Sequence, residues 1–418
     1  MKNPIPDYLD EVMTALRDEH SGDVAGYIPQ LAQAEPDVFG AAITTVKGHT
    51  YAAGDSDRLF SIQSISKPFA YAAALIDRGM DRVCQTVGVE PSGEAFNELS
   101  LEGETHRPKN PMINAGAIAT HSLVGTSGGT RTDRLLEFFS GLAGRELRID
   151  QDVCGSEFEH AHRNLAIGHM LKNYNVLDGD VHDIVLGYTQ QCSILVSTKD
   201  LSMMTATLAA GGIQPLTGER LMEPGTARQV MAVMAGAGMY DFAGEWLTKV
   251  GIPAKSGVSG GMIGVLPNQV GISAFSPRLD SHGNSHRGRL VFERLSADMG
   301  MHLFGVDQGN DQSVAVEANG QDVTYHLYGT VQFLTAADLL HHMSAAEAPG
   351  HAVIDVSRVD AFTDVGRRMT LEGMRRLHLD GCAISLRDPF GRLPDPDFGD
   401  GNYPRVIKQP AGQPDTPA

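Results

Sequence analysis

From Ile62 to Leu75 the chain reads IQSISKPFAYAAAL, and Ser64 precedes Lys67 by three residues. The alanines Ala70, Ala72, Ala73 and Ala74, with Gly79 as a stop, predict a helix over 62–80. Positions three apart share a helix face, so the Lys67 amine reaches toward the Ser64 hydroxyl. Pro68 fits this placement, because the first helical turn has no partner for the N–H that proline lacks. Ser64 then stands at a helix N-terminus, where backbone N–H groups and the dipole favour a developing negative charge. A neutral amine there removes the hydroxyl proton, provided that burial and nearby charge lower its pKa. Taken alone, the same residues also describe a serine that merely caps a helix.

Upstream, FGAAITTVKGHTYA (39–52) has β-branched residues on both sides of Lys47-Gly48 and predicts a two-stranded hairpin. Downstream, MIGVL and VGISAF, within Val258 to Phe275, predict two more strands joined at Pro267-Asn268. Helical spacing fills the interval at 131–142, 164–171, 199–210 and 223–235, with breaks at Gly211-Gly212 and Gly236 to Gly238. Strands at both ends of a helical stretch predict one antiparallel sheet assembled from both, with a helical subdomain. An opening helix over Tyr8 to Leu16 is expected to pack on this domain.

A second motif, Ala254-Lys255-Ser256-Gly257-Val258, opens the late strand-rich segment. A strand carrying it beside the Ser64 helix would aim the Val258 N–H at the same oxygen as the Ser64 N–H, forming an oxyanion hole. SxxK early and KSG late resembles the order in β-lactamases and penicillin-binding proteins.

Longer strings narrow the resemblance. YIPQL (27–31), QSISK (63–67), NPMINAGAI (110–118), RNLA (163–166), QCSI (191–194), LAAGG (208–212), GMYDF (238–242) and AKSGVSGG (254–261) occur in one order. Residues 8 to 305 thereby resemble the serine-dependent glutaminase family. The resemblance implies an α+β, β-lactamase/transpeptidase-like domain over 1–308 that hydrolyses L-glutamine to L-glutamate and ammonia through an acyl-enzyme. It implies Ser64 as nucleophile, Lys67 as proton acceptor, Tyr240 as proton relay and Val258 as oxyanion donor. Substrate-binding roles fall on Tyr27, Asn114, Glu157, Asn164 and Tyr188 together with Ser64, Tyr240 and Val258. A carboxylate suits the substrate ammonium, and Asn and Tyr donors suit its carboxylate. Glu159 is the rival for the ammonium, but the seven-residue spacing from Glu157 to Asn164 fits the family.

Composition limits the alternatives. With 33 Lys and Arg against 51 Asp and Glu, the net charge of −18 opposes nucleic acid and anionic lipid surfaces. Cys84, Cys154, Cys192 and Cys382 form no CxxC pair, and His160 and His162 lack metal-site spacing, so neither a metal nor another cofactor is expected. The apolar run Phe69 to Ile76 is too short to cross a bilayer, and Met1 to Val12 does not read as a secretory signal. A cytoplasmic enzyme is expected, and the family resemblance implies a homodimer or homotetramer.

From about Gly309 the pattern alternates: strand 323–331, helix 335–345, strand 352–356, helix 366–377, strand 382–386. Residues 318–390 resemble STAS domains, small α/β modules, which implies a protein partner or ligand for this segment. In phosphorylated members a serine follows the loop aspartate, whereas here Val365 follows Asp364. The proline-rich segment 391–418 is expected to be a poorly ordered tail. Two other readings of the first domain are a penicillin-recognising acylase and a glutamine sensor without turnover. The first leaves 110–118 and 238–242 unexplained, and the second has no use for an activated nucleophile.

Overall fold

The computed structural model describes residues 1–26, 28–93, 98–125, 129–305, 313–320, 322–345, 349–399 and 401–407. The chain divides into two compact units. One holds Leu9–Ala297 and Met301–Phe304; the other holds Met1–Tyr8, Asp298–Gly300 and Gly305–Ala418. The opening helix is Pro4–Ala15; from Leu9 on it counts with the first unit, as the sequence predicts for Tyr8 to Leu16, while residues 4–8 count with the second.

The first unit is α+β. Its five-stranded sheet runs, edge to edge, Thr50–Gly54, Gly40–Thr45, Val270–Phe275, Gly261–Leu266, Ala254–Ser256, antiparallel throughout. The early hairpin and the late strands thus meet at the pair Gly40–Thr45 and Val270–Phe275, with Ile43 opposite Ile272. Every residue of the four strands after Thr50–Gly54 in that order is buried. Burial on both faces explains why these strands read as apolar runs and not as alternating ones. Helix Thr198–Ala209 lies against the sheet, where Ser202 Oγ bonds Thr44 Oγ1 at 2.7 Å. Helix His286–Met299 sets the Phe292 ring against Gly264.

Helix Ser66–Arg78 is buried from Ser66 to Leu75 and ends at Gly79, whose φ of +78° suits glycine. Its alanines let neighbouring helices approach, and Phe69 meets the Phe139 ring edge-on at 5.8 Å. A second apolar cluster, including Ile118, Leu171, Ile184 and Tyr188, builds the helical subdomain. Its helices Asn114–Leu123 and Val181–Cys192 escaped the periodicity reading, because both are buried around most of their circumference. Among the described residues no helix is long and apolar enough to cross a membrane.

The second unit carries its own five-stranded sheet, ordered Arg405–Val406, Ala383–Arg387, His351–Phe362, Asp322–Val331, Val314–Asn319. The first four strands are parallel and the last is antiparallel to its neighbour. Helices Phe333–Ala345 and Asp364–Leu379 pack together, the second capped by Thr363 Oγ1 accepting from the Gly366 N–H. The strand Val314–Asn319 was not anticipated. Nor was the order of residues 391–399 and 401–407: Arg405–Val406 joins the sheet, and Leu393 and Phe398 are buried. These apolar side chains anchor a segment that composition alone assigns to a loose tail; the remainder, 408–418, lies outside the described residues.

Candidate active site

The residues Gln63–Ile65 form one 3-10 turn that feeds directly into helix Ser66–Arg78. Ser64 is 7% exposed and faces a cavity of about 240 Å³. Lys67, 1% exposed, donates to the Met112 carbonyl at 3.2 Å and to Asn114 Oδ1 at 2.8 Å. Among the described residues these are its hydrogen-bond partners, and the Ser64 hydroxyl is not one of them. Burial brings the Lys67 pKa down to about 7, so near neutral pH a large fraction is uncharged. A neutral amine that gives both N–H groups to Met112 and Asn114 keeps its lone pair free for a hydroxyl proton.

The KSG segment closes on this turn from the opposite side. A Cβ on Gly257 would stand 3.1 Å from Ile65 Cγ1 and 3.3 Å from the Ile62 carbonyl oxygen, so glycine eases the close contact between the two segments. The next residue, Val258, sits in a turn after strand Ala254–Ser256 and lines the cavity. Among the described residues its N–H has no recorded acceptor, as an oxyanion donor requires.

Tyr240 belongs to the 3-10 turn Tyr240–Phe242. The preceding Gly238 packs so closely on Ala254 that a Cβ would lie 1.9 Å from the Ala254 carbonyl oxygen. That approach delivers the Tyr240 phenol to Lys255, whose amine donates to it at 2.6 Å and also to the Ser256 carbonyl. Lys255 is fully buried; burial, and then the nearby Lys67, push its pKa well below the usual range. Tyr240 lines a second cavity of about 690 Å³, with Asp241, His282 and His286, and its phenol lies near enough to the first to add to the raised pKa of Tyr188 there. Gln63 and Tyr240 share a further property: both are non-glycine residues in the left-handed region, at φ +51° and +59°.

The helical subdomain supplies the remaining wall. Asn114 starts helix Asn114–Leu123, Glu157 lies in Gln151–Glu159, Asn164 in His162–Asn173 and Tyr188 in Val181–Cys192. All four line the cavity with Ser64 and Val258. Asn114 Nδ2 donates to Asn164 Oδ1 at 3.1 Å, so one amide links Lys67 to Asn164. Glu157 Oε2 accepts from Gln63 Nε2 at 2.9 Å. Burial raises the Glu157 pKa and the Gln63 hydrogen bond opposes the rise. Burial likewise pushes the Tyr188 phenol well above its usual range. Glu159 is exposed and outside the cavity wall, which separates the two candidate carboxylates by position. Tyr27 lies outside the described residues.

Several lining residues were not singled out from sequence as site residues: Ile28, Gln63, Arg163, Cys192 and His160, the last weighed only as a metal ligand. Lys255 was read only as part of a motif, although its neighbours in the KSG string were the available signal. Among the described residues no cluster of three His, Cys, Asp or Glu side chains forms a metal site. A hydroxyl on a tight turn, a buried amine that is partly uncharged near neutral pH, a backbone donor and a carboxylate in the same cavity wall suit acyl transfer on a small zwitterion.

The glutaminase family model matches residues 22–304. The chain is 50% identical over 412 residues to a glutaminase of Corynebacterium efficiens, covering 97% of each. It is also 50% identical over 403 residues to a glutaminase of Corynebacterium glutamicum, covering 95% of this chain and 97% of the relative. Among solved structures it resembles Mglu in its glutamate form, with a TM-score of 0.72 and 47% identity over 93% of this chain and 99% of that one.

Proposed function

We infer the chemistry from the premise that this chain belongs to the glutaminase family. It is an amidohydrolase that converts L-glutamine to L-glutamate and ammonia. We propose that Ser64 Oγ attacks the side-chain amide carbon while its proton passes to the neutral Lys67 amine. The carbonyl oxygen becomes an oxyanion held by the Ser64 and Val258 N–H groups. As the C–N bond breaks, Tyr240 gives a proton to the departing nitrogen, and ammonia leaves a γ-glutamyl ester on Ser64. Water then attacks the ester, giving a proton to the Tyr240 phenolate, and Lys67 returns its proton to Ser64 Oγ as glutamate leaves. Lys255 donates to the Tyr240 oxygen and thereby stabilises it whenever it carries negative charge.

The observation that carries this reading is the Lys67 amine, buried beside the Ser64 turn with a pKa of about 7. Glu157 would hold the substrate ammonium, and Asn114, Asn164, Tyr188 and Tyr27 would hold the α-carboxylate. Support comes from the first four lining one cavity with Ser64. Mass spectrometry tests the covalent step: an electrophilic glutamine analogue should label wild type at Ser64 and leave Ser64→Ala unlabelled.

The second unit is proposed to be a STAS-like module, supported by its parallel strands and two paired helices. A serine switch is not proposed, since Val365 follows Asp364. The four cysteines are free thiols, which suits the reducing cytoplasm proposed for the enzyme. Homo-oligomeric association is proposed from the family resemblance, and light scattering of the full chain tests it.

A further inference from the structure

Gln63 belongs to two parts of the site at once. Its backbone is the residue before the nucleophile, and its side chain grips the Glu157 carboxylate in the wall of the same cavity. It is 3% exposed, and its amide nitrogen donates to Glu157 Oε2 at 2.9 Å and to Ser61 Oγ at 3.3 Å. The backbone is fixed as firmly as the side chain. Ser66 Oγ donates to the Gln63 carbonyl at 2.7 Å, and Gln191 Nε2 donates to Ser66 Oγ at 2.9 Å. Gln191 Oε1 bonds His121 Nδ1 at 3.0 Å, and with the Gln191 nitrogen already donating, the imidazole is the donor. Ser66, Gln191 and His121 are all fully or almost fully buried. Burial lowers the His121 pKa to about 4, so this chain keeps one protonation state across neutral pH. The left-handed φ of Gln63 is therefore held in place by a buried polar chain.

We propose that Gln63 is the positioning residue that orients Glu157 toward the substrate ammonium and fixes its distance from Ser64. The inference rests on the reading of Ser64 as nucleophile and Glu157 as ammonium anchor. A substrate held at both ends must span that distance with its own methylenes, so the Gln63 tie selects a glutamine-length side chain. It also favours the ionised anchor, because a donated N–H opposes the burial that raises the Glu157 pKa. The other titratable groups in this wall are Tyr188, Cys192, His160 and Arg163. Tyr188 and Cys192 are buried with raised pKa values, His160 bonds the Ser156 carbonyl and Arg163 pairs with Glu98.

The test uses the full-length enzyme and Gln63→Leu, a substitution of similar volume without the amide. The substrates are L-glutamine and 4-carbamoylbutanoate, which is glutamine without its α-amino group. The variant should raise KM for glutamine about tenfold or more, with kcat within about threefold of wild type. The ratio of kcat/KM for glutamine over the deamino analogue should fall by about the same factor, and on acidification the rise in KM should begin at a higher pH than in wild type. An unchanged ratio, whether both substrates suffer or neither does, overturns the inference, because a general structural role strikes both alike. Ser64→Ala is run alongside: if it keeps wild-type turnover, the nucleophile reading fails first, whereas a dead Ser64→Ala with an unchanged ratio in Gln63→Leu removes only the role of Gln63.

Discussion

Lys255 and Tyr240 meet through a 2.6 Å hydrogen bond from the amine to the phenol oxygen, in an interior where Lys255 has no exposed surface. A buried cation is costly unless it is used or neutralised, and Lys67 nearby adds to that cost. The pair therefore reads as a proton-holding unit. Lys255→Met, which keeps the stem and removes the donor, should lower kcat about 10²-fold to 10⁴-fold with KM little changed. Tyr240→Phe should cost a similar factor, and the double variant little more than either alone. Steady-state kinetics of the three variants check this; independent, multiplying losses would mean that the two groups act separately.

Ser64→Ala should reduce ammonia release by about 10³-fold or more without disturbing the fold. The hydroxyl faces a cavity, and its loss leaves no buried polar group stranded. A coupled ammonia assay and a thermal melt on the same preparation give both numbers.

The pH profile follows from Lys67. A lysine at its ordinary value of 10.5 would be charged throughout the neutral range, but burial moves this one to about 7. The amine is the working base only when uncharged, so kcat/KM should fall about tenfold per pH unit as pH drops below about 7. The free enzyme's kcat/KM, measured across pH 5.5 to 8.5 in constant ionic strength, is the readout; an acid limb near pH 10 would exclude Lys67.

Glu157→Gln and Glu159→Gln are chemically equal substitutions two residues apart. The first removes a charge from the cavity wall and should raise KM for glutamine about tenfold or more. The second changes an exposed side chain and should leave KM within about twofold.

Gly238→Ala tests the close approach that delivers Tyr240. Its Cβ would collide with the Ala254 carbonyl at 1.9 Å, forcing the KSG strand and the Tyr240 turn apart. The expected outcome is about 1–3 kcal/mol of lost stability in denaturant melts, together with a kcat loss like that of Tyr240→Phe.

What sequence made legible depended on the type of signal. The sheet was readable because Gly40–Thr45 and Val270–Phe275 are each flanked by turn residues, Lys47-Gly48 on one side and Pro267-Asn268 on the other. Helix Asn114–Leu123 was invisible to periodicity, since NAGAIATHSL is buried on nearly every side and has no polar stripe. Residues 391–399 misled in the opposite direction, as proline and glycine concealed the anchors Leu393 and Phe398. Within the site, Ser64, Glu157, Asn114, Asn164, Tyr188 and Val258 reach one cavity from segments scattered across the first unit. Family resemblance supplied that set, because spacing alone carries no record of contacts across such separations. Lys255 and Gln63 stayed hidden for another reason: their partners, Tyr240 and Glu157, are defined only once the chain is folded.

The left-handed backbone at Gln63 and Tyr240 has a consequence for anyone seeking a hardier catalyst. Each such conformation costs about 1 kcal/mol or more, and glycine would relax it. Screens that reward heat resistance alone would thus be drawn to these two positions. There the more rugged variant gives up the side chain that grips Glu157 or the phenol that meets Lys255, so endurance and turnover have to be selected together.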